Sequence, residues 1–348
     1  MTIEEDIYTY RNLPWLSKST ILGYRFCGHL FYLRYFEGSD FGVNLKAETG
    51  TNMHVLYEKF FAILDFDEIF NIVIDYTSKV DEDNSIFQYF YNILIEMIPV
   101  DSRSFRPYQT MCRNFALLEA DHWITLNREH QENRGKVLKY FLPVAVEKYI
   151  ECPVLQIFGT IDRKSIWSNG KEYFILYDYK TGYIPNDVKK GKKSDDNFSW
   201  TLPTKKNFEL HFYLILEMCS AGYTIHPDIV DYCTNPKYFN EDSVIPEVSN
   251  YFFNKDGKAV NPKDLYRVGI IYTGGDEPWV PKKYPLKRSF KTVFKWINEI
   301  RTIIHRNGPY NKEPNYWKCR ECNEVVREKC LNEEERKAIF WGEDNDKR

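Results

Sequence analysis

Residues 159–182 read GTIDRKSIWSNGKEYFILYDYKTG. Residues 144–163 and 171–180 are β-branched and alternating, which predicts two strands. Between them Ser168-Asn169-Gly170 is a hairpin signal, because Asn and Gly tolerate positive φ. Strand side chains alternate, so Asp178 and Lys180 share a face with Phe174 and Leu176. Charge at the end of an apolar strand face is costly unless it is partnered. The hairpin brings Asp162 beside Asp178. A strict two-residue turn over Asn169-Gly170 pairs Asp162 with Tyr177 and sets the aspartates on opposite faces. A loop of odd length, or a bulge, sets them on one face, and that is the expected geometry. Two close carboxylates repel unless a cation lies between them. Hard oxygen ligands suit Mg²⁺ or Mn²⁺. With Lys180 alongside, this is equipment for metal-assisted phosphodiester hydrolysis. Spacing alone leaves a surface Asp–Lys pair and a turn aspartate equally open.

Outward from this hairpin the texture is mixed. Residues 17–37 predict one helix capped by Ser17 or Ser19, and residues 50–135 are largely helical, with Phe87, Tyr91, Leu94 and Ile98 at helical spacing. Residues 205–219 and 289–306 predict helices, residues 266–273 a strand, and residues 220–265 match no pattern. The order implies an α/β fold, a mixed central sheet flanked by helices, in one domain over 1–348 with a helical insertion at 55–140.

Composition sets the bounds. The chain has 348 residues, 43% of them apolar and 17% aromatic, enough for a packed core and against disorder. There is no apolar run long enough to span a bilayer, and the acidic start Met1-Thr2-Ile3-Glu4-Glu5-Asp6 is unlike a secretory signal. No membrane association and a cytoplasmic location are expected. The net charge of −3 does not advertise a nucleic-acid binder, but lysines cluster at 189, 190, 192 and 193, at 205 and 206, and with Arg288 at 282, 283, 287, 291 and 295. Each cluster alone reads more readily as a solvated surface. No G-x-x-x-x-G-K-[ST] occurs, since Gly191-Lys192-Lys193-Ser194 lacks the loop, so any motor is a separate partner.

Of the eight cysteines, Cys112, Cys152, Cys219 and Cys233 are scattered and read as ordinary core or surface thiols. Cys319-x2-Cys322-x7-Cys330 is patterned for a metal or cluster and needs a fourth ligand, which Cys27 supplies if the chain ends meet. Four thiolates suit structural Zn²⁺ as well.

Gly159-Thr160-Ile161-Asp162-Arg163 followed by Asp178-Tyr179-Lys180-Thr181-Gly182 resembles the G-x-[IV]-D-R … D-[YF]-K-T-G signature of the RecB-like branch of the PD-(D/E)XK nucleases. Gly50-Thr51-Asn52-Met53-His54, followed by Glu58, resembles that branch's G-x-x-x-H motif, and Glu209-Leu210-His211-Phe212-Tyr213 its Q-L-x-x-Y motif, with Glu in place of Gln. Ser17-x-Ser19 and Cys27 with the three late cysteines resemble the set that holds a 4Fe–4S cluster in AddB and in the CRISPR-associated exonuclease of spacer acquisition. Here the last gap is seven, and Gly28 follows Cys27 where proline is common.

The resemblance implies a restriction-endonuclease-like core and a metal-dependent deoxyribonuclease. It implies metal ligands at His54, Asp162, Asp178 and the Tyr179 carbonyl, and Lys180 as the catalytic lysine. Glu209 and Tyr213 would support the site from a helix. Cys27, Cys319, Cys322 and Cys330 would close residues 310–335 onto the N-terminal region. An exonuclease on single-stranded or end-bearing DNA is expected, in repair, recombination or CRISPR-type processing. Its partners would be DNA and a separate helicase or CRISPR-adaptation-type protein. A non-cleaving DNA-end-binding module, and a restriction or RNA-directed nuclease, are the alternatives.

Overall fold

The computed structural model describes residues 15–38, 45–76, 80–103, 105–130, 133–168, 170–182, 204–312, 316–319, 322 and 324–341. The lysines at 189–193, the Gly191 stretch, Asn169 and the acidic start lie outside the described residues.

The sheet is built on β3 (Ile157–Ser168). Along one side it pairs antiparallel with β2 (Ala145–Cys152). Its other side is shared by two strands. β4 (Glu172–Lys180) pairs antiparallel with Arg163–Ser168, and the short β1 (Leu16–Ser17) pairs parallel with Ile157–Phe158. Between β1 and β4 this edge of β3 forks open. Beyond β4 lie β8 (Tyr266–Tyr272), parallel, and β9 (Lys282–Lys283), which completes six strands. A parallel β4–β8 pair needs a crossover, and helix α8 (Thr204–Ser220) supplies it. Every residue of β8 is buried, as a strand covered on both faces must be. This is an α/β, restriction-endonuclease-like core: a mixed central sheet flanked by helices.

Two hydrophobic clusters cover the faces. On one, Phe212 and Leu216 of α8 join Val293 and Ile297 of α10 (Lys287–His305) against Ile161, Leu176 and Val268. On the other, a helical lobe packs on Ile175, Tyr177 and Tyr179. Its helices are α3 (Leu45–Ile63), α4 (Phe66–Asn71), α5 (Ser85–Met97), α6 (Arg106–His130) and α7 (Arg134–Phe141). Asp65, Asn84 and Asn133 cap α4, α5 and α7 by accepting free backbone N–H groups of the first turn. Arg163 is the clamp between layers. It forms a buried ion pair with Glu119 of α6 and lies over the Phe61 ring at 4.7 Å.

Two expectations change. Residues 17–37 are not one helix: α1 (Lys18–Phe26) and α2 (Gly28–Tyr35) are separated by Cys27, which is extended at φ −161° and ψ 116°. The break lets the C-terminal segment dock. His29 N donates to Asn311 O at 3.1 Å, and a Cβ at Gly28 would meet Asn311 N at 3.1 Å. Ser17, of the two serines, is the cap, accepting from Thr20 N at 3.1 Å. Residues 144–163 are not one strand either. A turn after Cys152, with Gln156 at φ +49°, reverses β2 into β3. Both arms keep the same alternation, so period alone hides the turn.

Residues 220–265 hold a three-stranded sheet of β5 (Thr224–Ile225), β6 (Phe252–Phe253) and β7 (Ala259–Val260), with α9 (Pro227–Thr234). Buried Arg301 ties this region to the β2–β3 turn, donating to Cys233 O at 2.5 Å and Leu155 O at 2.6 Å. No helix among the described residues is long and apolar enough to cross a membrane.

Candidate active site

The β3–β4 ladder pairs Ser168 with Glu172 and ends at Arg163–Tyr177. The connecting loop therefore has the odd length expected, with Gly170 at φ +71° supplying the turn. One step further, Asp162 stands opposite Asp178. There the strands separate, and the Asp162 side chain takes over the rung: its Oδ2 accepts from Tyr179 N at 2.7 Å.

Alternation along β3 slips at the same place. A Cβ at Gly159 would meet Leu216 of α8 at 3.1 Å, and Lys164 pairs with Glu217 of α8 at 2.5 Å. Residues five apart share a face only where the pleat is interrupted. The slip swings Asp162 toward the helical lobe, whereas Asp178 keeps the α8 side, so the expected placing of both aspartates on one face does not hold. Two charged groups result. In the first, His54 Nδ1 lies 3.1 Å from Glu147 Oε1 and 3.9 Å from Asp162 Oδ2. The ligand atoms of His54, Glu147 and Asp162 all lie within 4.8 Å of one another, a set fit to hold a metal ion. In the second, Lys180 Nζ lies 2.6 Å from Asp178 Oδ2 and 3.0 Å from Glu209 Oε2. Lys18 reaches Asp178 Oδ1 at 3.4 Å, and Lys206 reaches Glu209 at 3.2 Å. Lys18 also lies over the Tyr213 ring at 4.6 Å.

The motifs are legible as contacts. Gly50 lies one turn before His54 on α3, and a Cβ there would meet Thr181 Oγ1 at 3.2 Å. A Cβ at Gly274 would sit 1.9 Å from Thr181 O, so the chain leaving Lys180 is gripped from both sides. His54 meets the Tyr179 ring edge-on at 5.7 Å.

Three residues at the site were not anticipated. Glu147 lies opposite Asp162 in the β2–β3 register, which passes from Val146–Arg163 to Lys148–Ile161. Its backbone takes φ +44°, strained for a residue with a Cβ, and this kink accompanies the contact with His54. Nothing in the alternation of β2 announces it. Lys18 follows β1 directly and Lys206 lies one turn before Glu209, a spacing that could have marked it.

Electrostatics separate the two groups. Burial and the neighbouring charge of Asp178 push the Asp162 carboxyl up to about 7. Burial opposes ionisation of Asp178 too, but Lys180 and Lys18 overcome it and hold that carboxyl well below its usual range. Glu209 is likewise lowered, its lysines outweighing both burial and the charge of Asp178. Burial disfavours His54 cation, yet the Glu147 bond and the Asp162 charge raise its pKa. Asp178 and Glu209 are thus neutralised by lysines. Asp162 carries the uncompensated demand for positive charge, which a divalent cation would meet.

The four patterned cysteines meet elsewhere. Cys27, Cys319, Cys322 and Cys330 line one small cavity with Phe26, Leu30, Lys318 and Val326. Burial, then the neighbouring thiols, pushes Cys322 up to about 12 and Cys330 to about 11. Bound metal reverses such a shift by taking the thiolate. The four scattered cysteines lie outside this cavity, with Cys112, Cys152 and Cys233 buried.

A profile of the PD-(D/E)XK nuclease superfamily matches residues 15–325. The chain belongs to that superfamily. Asp162 and Asp178-Tyr179-Lys180 fall in the order its name spells out, with Ile161 where the name has proline. Fold and His/Glu/Asp set together are those of a metal-dependent hydrolase of this type. No curated protein matches the chain significantly.

Asp162 generates a pH dependence. A carboxyl with a raised folded pKa contributes most below its unfolded value of 3.8, and that stability is lost as pH rises through about 7. Without divalent cation, Asp162→Asn is expected to be more stable than wild type at pH 8 by roughly 2–4 kcal/mol. The advantage should vanish toward pH 4, and urea unfolding across this range checks it. Asn still accepts the Tyr179 N–H. For Glu147→Gly, relief of the left-handed backbone offsets the entropy of glycine. Stability should stay within about 1 kcal/mol of wild type. Mn²⁺ affinity should fall at least about tenfold, and a titration that matches wild type excludes Glu147 as a ligand.

Proposed function

We propose that this protein is a Mg²⁺- or Mn²⁺-dependent deoxyribonuclease of the RecB-like branch, acting on single-stranded or end-bearing DNA. The carrying observation is the His54–Glu147–Asp162 set one strand away from the Asp178–Lys180 pair, at the fork of β3 and β4. His54, Asp162 and Glu147 are the ligands the geometry favours. Asp178 and the Tyr179 carbonyl are the further ligands that the motif resemblance implies. When bound, the cation supplies a Lewis acid and lowers the pKa of water.

The chain's own residues do the rest. Lys180, held cationic by Asp178 against the cost of burial, offsets charge building on the phosphate and orients the attacking water. Glu209 holds the Lys180 ammonium at 3.0 Å and with Lys206 fixes where it points. Lys18 divides its charge between Asp178 and the Tyr213 ring, so Tyr213 supports the site from α8. DNA rather than RNA rests on the motif resemblance, as does a separate helicase or CRISPR-adaptation-type partner.

The cysteine cavity is the second part of the reading. Four thiols from both ends of the described chain converge on one cavity, a donor set suited to a 4Fe–4S cluster or to structural Zn²⁺. The resemblance favours iron, in a structural role.

Lys180→Ala should lower cleavage of labelled DNA with Mn²⁺ by about 10²–10³-fold while the protein stays folded. Equal cutting by variant and wild type would sink the nuclease reading. Protein purified anaerobically should be brown with broad visible absorbance, and Cys322→Ser should lose the colour. A colourless wild type with stoichiometric zinc overturns the iron assignment.

A further inference from the structure

A groove of about 770 Å³ leaves the candidate active site where β4 ends. Thr181 and Gly182, which follow Lys180 directly, form part of its wall. Thr49, just before Gly50 on α3, forms another part. The groove therefore runs beside the chain segments that carry Lys180 and His54.

Its chemistry is not that of a phosphate channel. Among the described residues, Arg106 and Asp276 are the charged side chains lining it, and their formal charges cancel. Apolar surface comes from Phe105, Pro107 and Met111. Phe105 is 40% exposed, so its ring is accessible from the groove. The ring is also held. It meets Tyr108 edge-on at 5.5 Å, and the Tyr108 hydroxyl accepts from Asn52 Nδ2 at 2.9 Å. Asn52 lies two residues before His54 on α3. The opposite wall is fixed as well, since buried Asn114 donates to Thr273 O at 2.8 Å and Gly275 O at 2.6 Å.

A neutral, partly aromatic groove suits bases, not a phosphate backbone. Bases offer their π-faces to protein only when unstacked, as in a single strand. We propose that this groove receives bases of a single DNA strand next to the scissile phosphate, with Phe105 as the stacking platform. The proposal rests on the nuclease reading for its substrate, but it is tested separately.

Binding of a fluorescent oligothymidylate is measured by anisotropy with Ca²⁺ in place of Mg²⁺. A dumbbell duplex closed at both ends is measured alongside. Phe105→Ala should weaken single-strand binding about five- to hundredfold, leave the dumbbell unchanged, and be rescued by Phe105→Trp. The thermal unfolding midpoint of Phe105→Ala should match wild type, which reports an intact fold. Unchanged single-strand affinity, or equal losses on strand and dumbbell, overturns the groove assignment. A wild type that does not cut the oligothymidylate with Mn²⁺ defeats the nuclease reading instead, and the anisotropy comparison still decides the groove.

Discussion

The Asp162 carboxylate accepts the Tyr179 N–H where a backbone carbonyl would stand in an ordinary ladder. This substitution keeps the fork of β3 and β4 open without leaving a buried donor unpaired, which would cost about 1–3 kcal/mol. The fork admits Lys18 from the start of α1 on the α8 side. On the lobe side the slipped pleat turns Asp162 to meet His54. Glu147 kinks at the matching position of β2. Three departures from ideal sheet geometry thus share one place: a missing rung, an interrupted alternation and a left-handed glutamate. Strain of this kind persists where surrounding structure over-determines it, and it clusters at functional sites. Here the over-determination comes from Arg163, the next residue, locked to Glu119 in the lobe.

Charge is distributed across the fork unevenly. On the α8 side two carboxylates face three lysines, and both carboxyls are held ionised. On the lobe side, among the described residues, His54 is the basic group within reach of Asp162 and Glu147, with Lys18 acting on Asp162 from farther away. The asymmetry distinguishes two roles for acids that a strand pattern treats alike. On the proposed reading one acid positions a lysine, and the other would hold a cation. The separation also explains why Asp162 is pushed up while Asp178 is pushed down, although both are buried and adjacent.

Much of this was legible in the sequence because it depends on period and turn length. The hairpin count put Asp162 opposite Asp178, and helix α8 and strand β8 followed from spacing. The features that stayed hidden depend on contacts across distant segments. The β2–β3 turn is silent because alternation continues through it. The break at Cys27 goes with the docking of Asn311 on Gly28, from a segment distant in the chain. Glu147 gave no signal because an acidic residue on a strand is ordinary until its φ is known. Lys18 lies far from the strand motifs, and only the pairing of β1 with β3 carries it to the fork.

That last pairing joins the two halves of the molecule. β1 is only Leu16–Ser17, too short to hold itself in register. Directly after it a single nine-residue helix, α1, runs from Lys18 at the fork to Phe26 beside the cysteine cavity. Cys27 faces that cavity with Cys319, Cys322 and Cys330, and Gly28 backs onto Asn311. Closing the C-terminal segment therefore fixes one end of α1, and the β1–β3 pairing fixes the other. A helix anchored at both ends presents Lys18 to Asp178 at a set distance. Loss of the cysteine closure would leave the strand motifs intact in sequence. It would nonetheless release one of the three lysines that keep Asp178 ionised. On the proposed reading the cysteines would thus bear on the chemistry without approaching it, through the rigidity of a single helix.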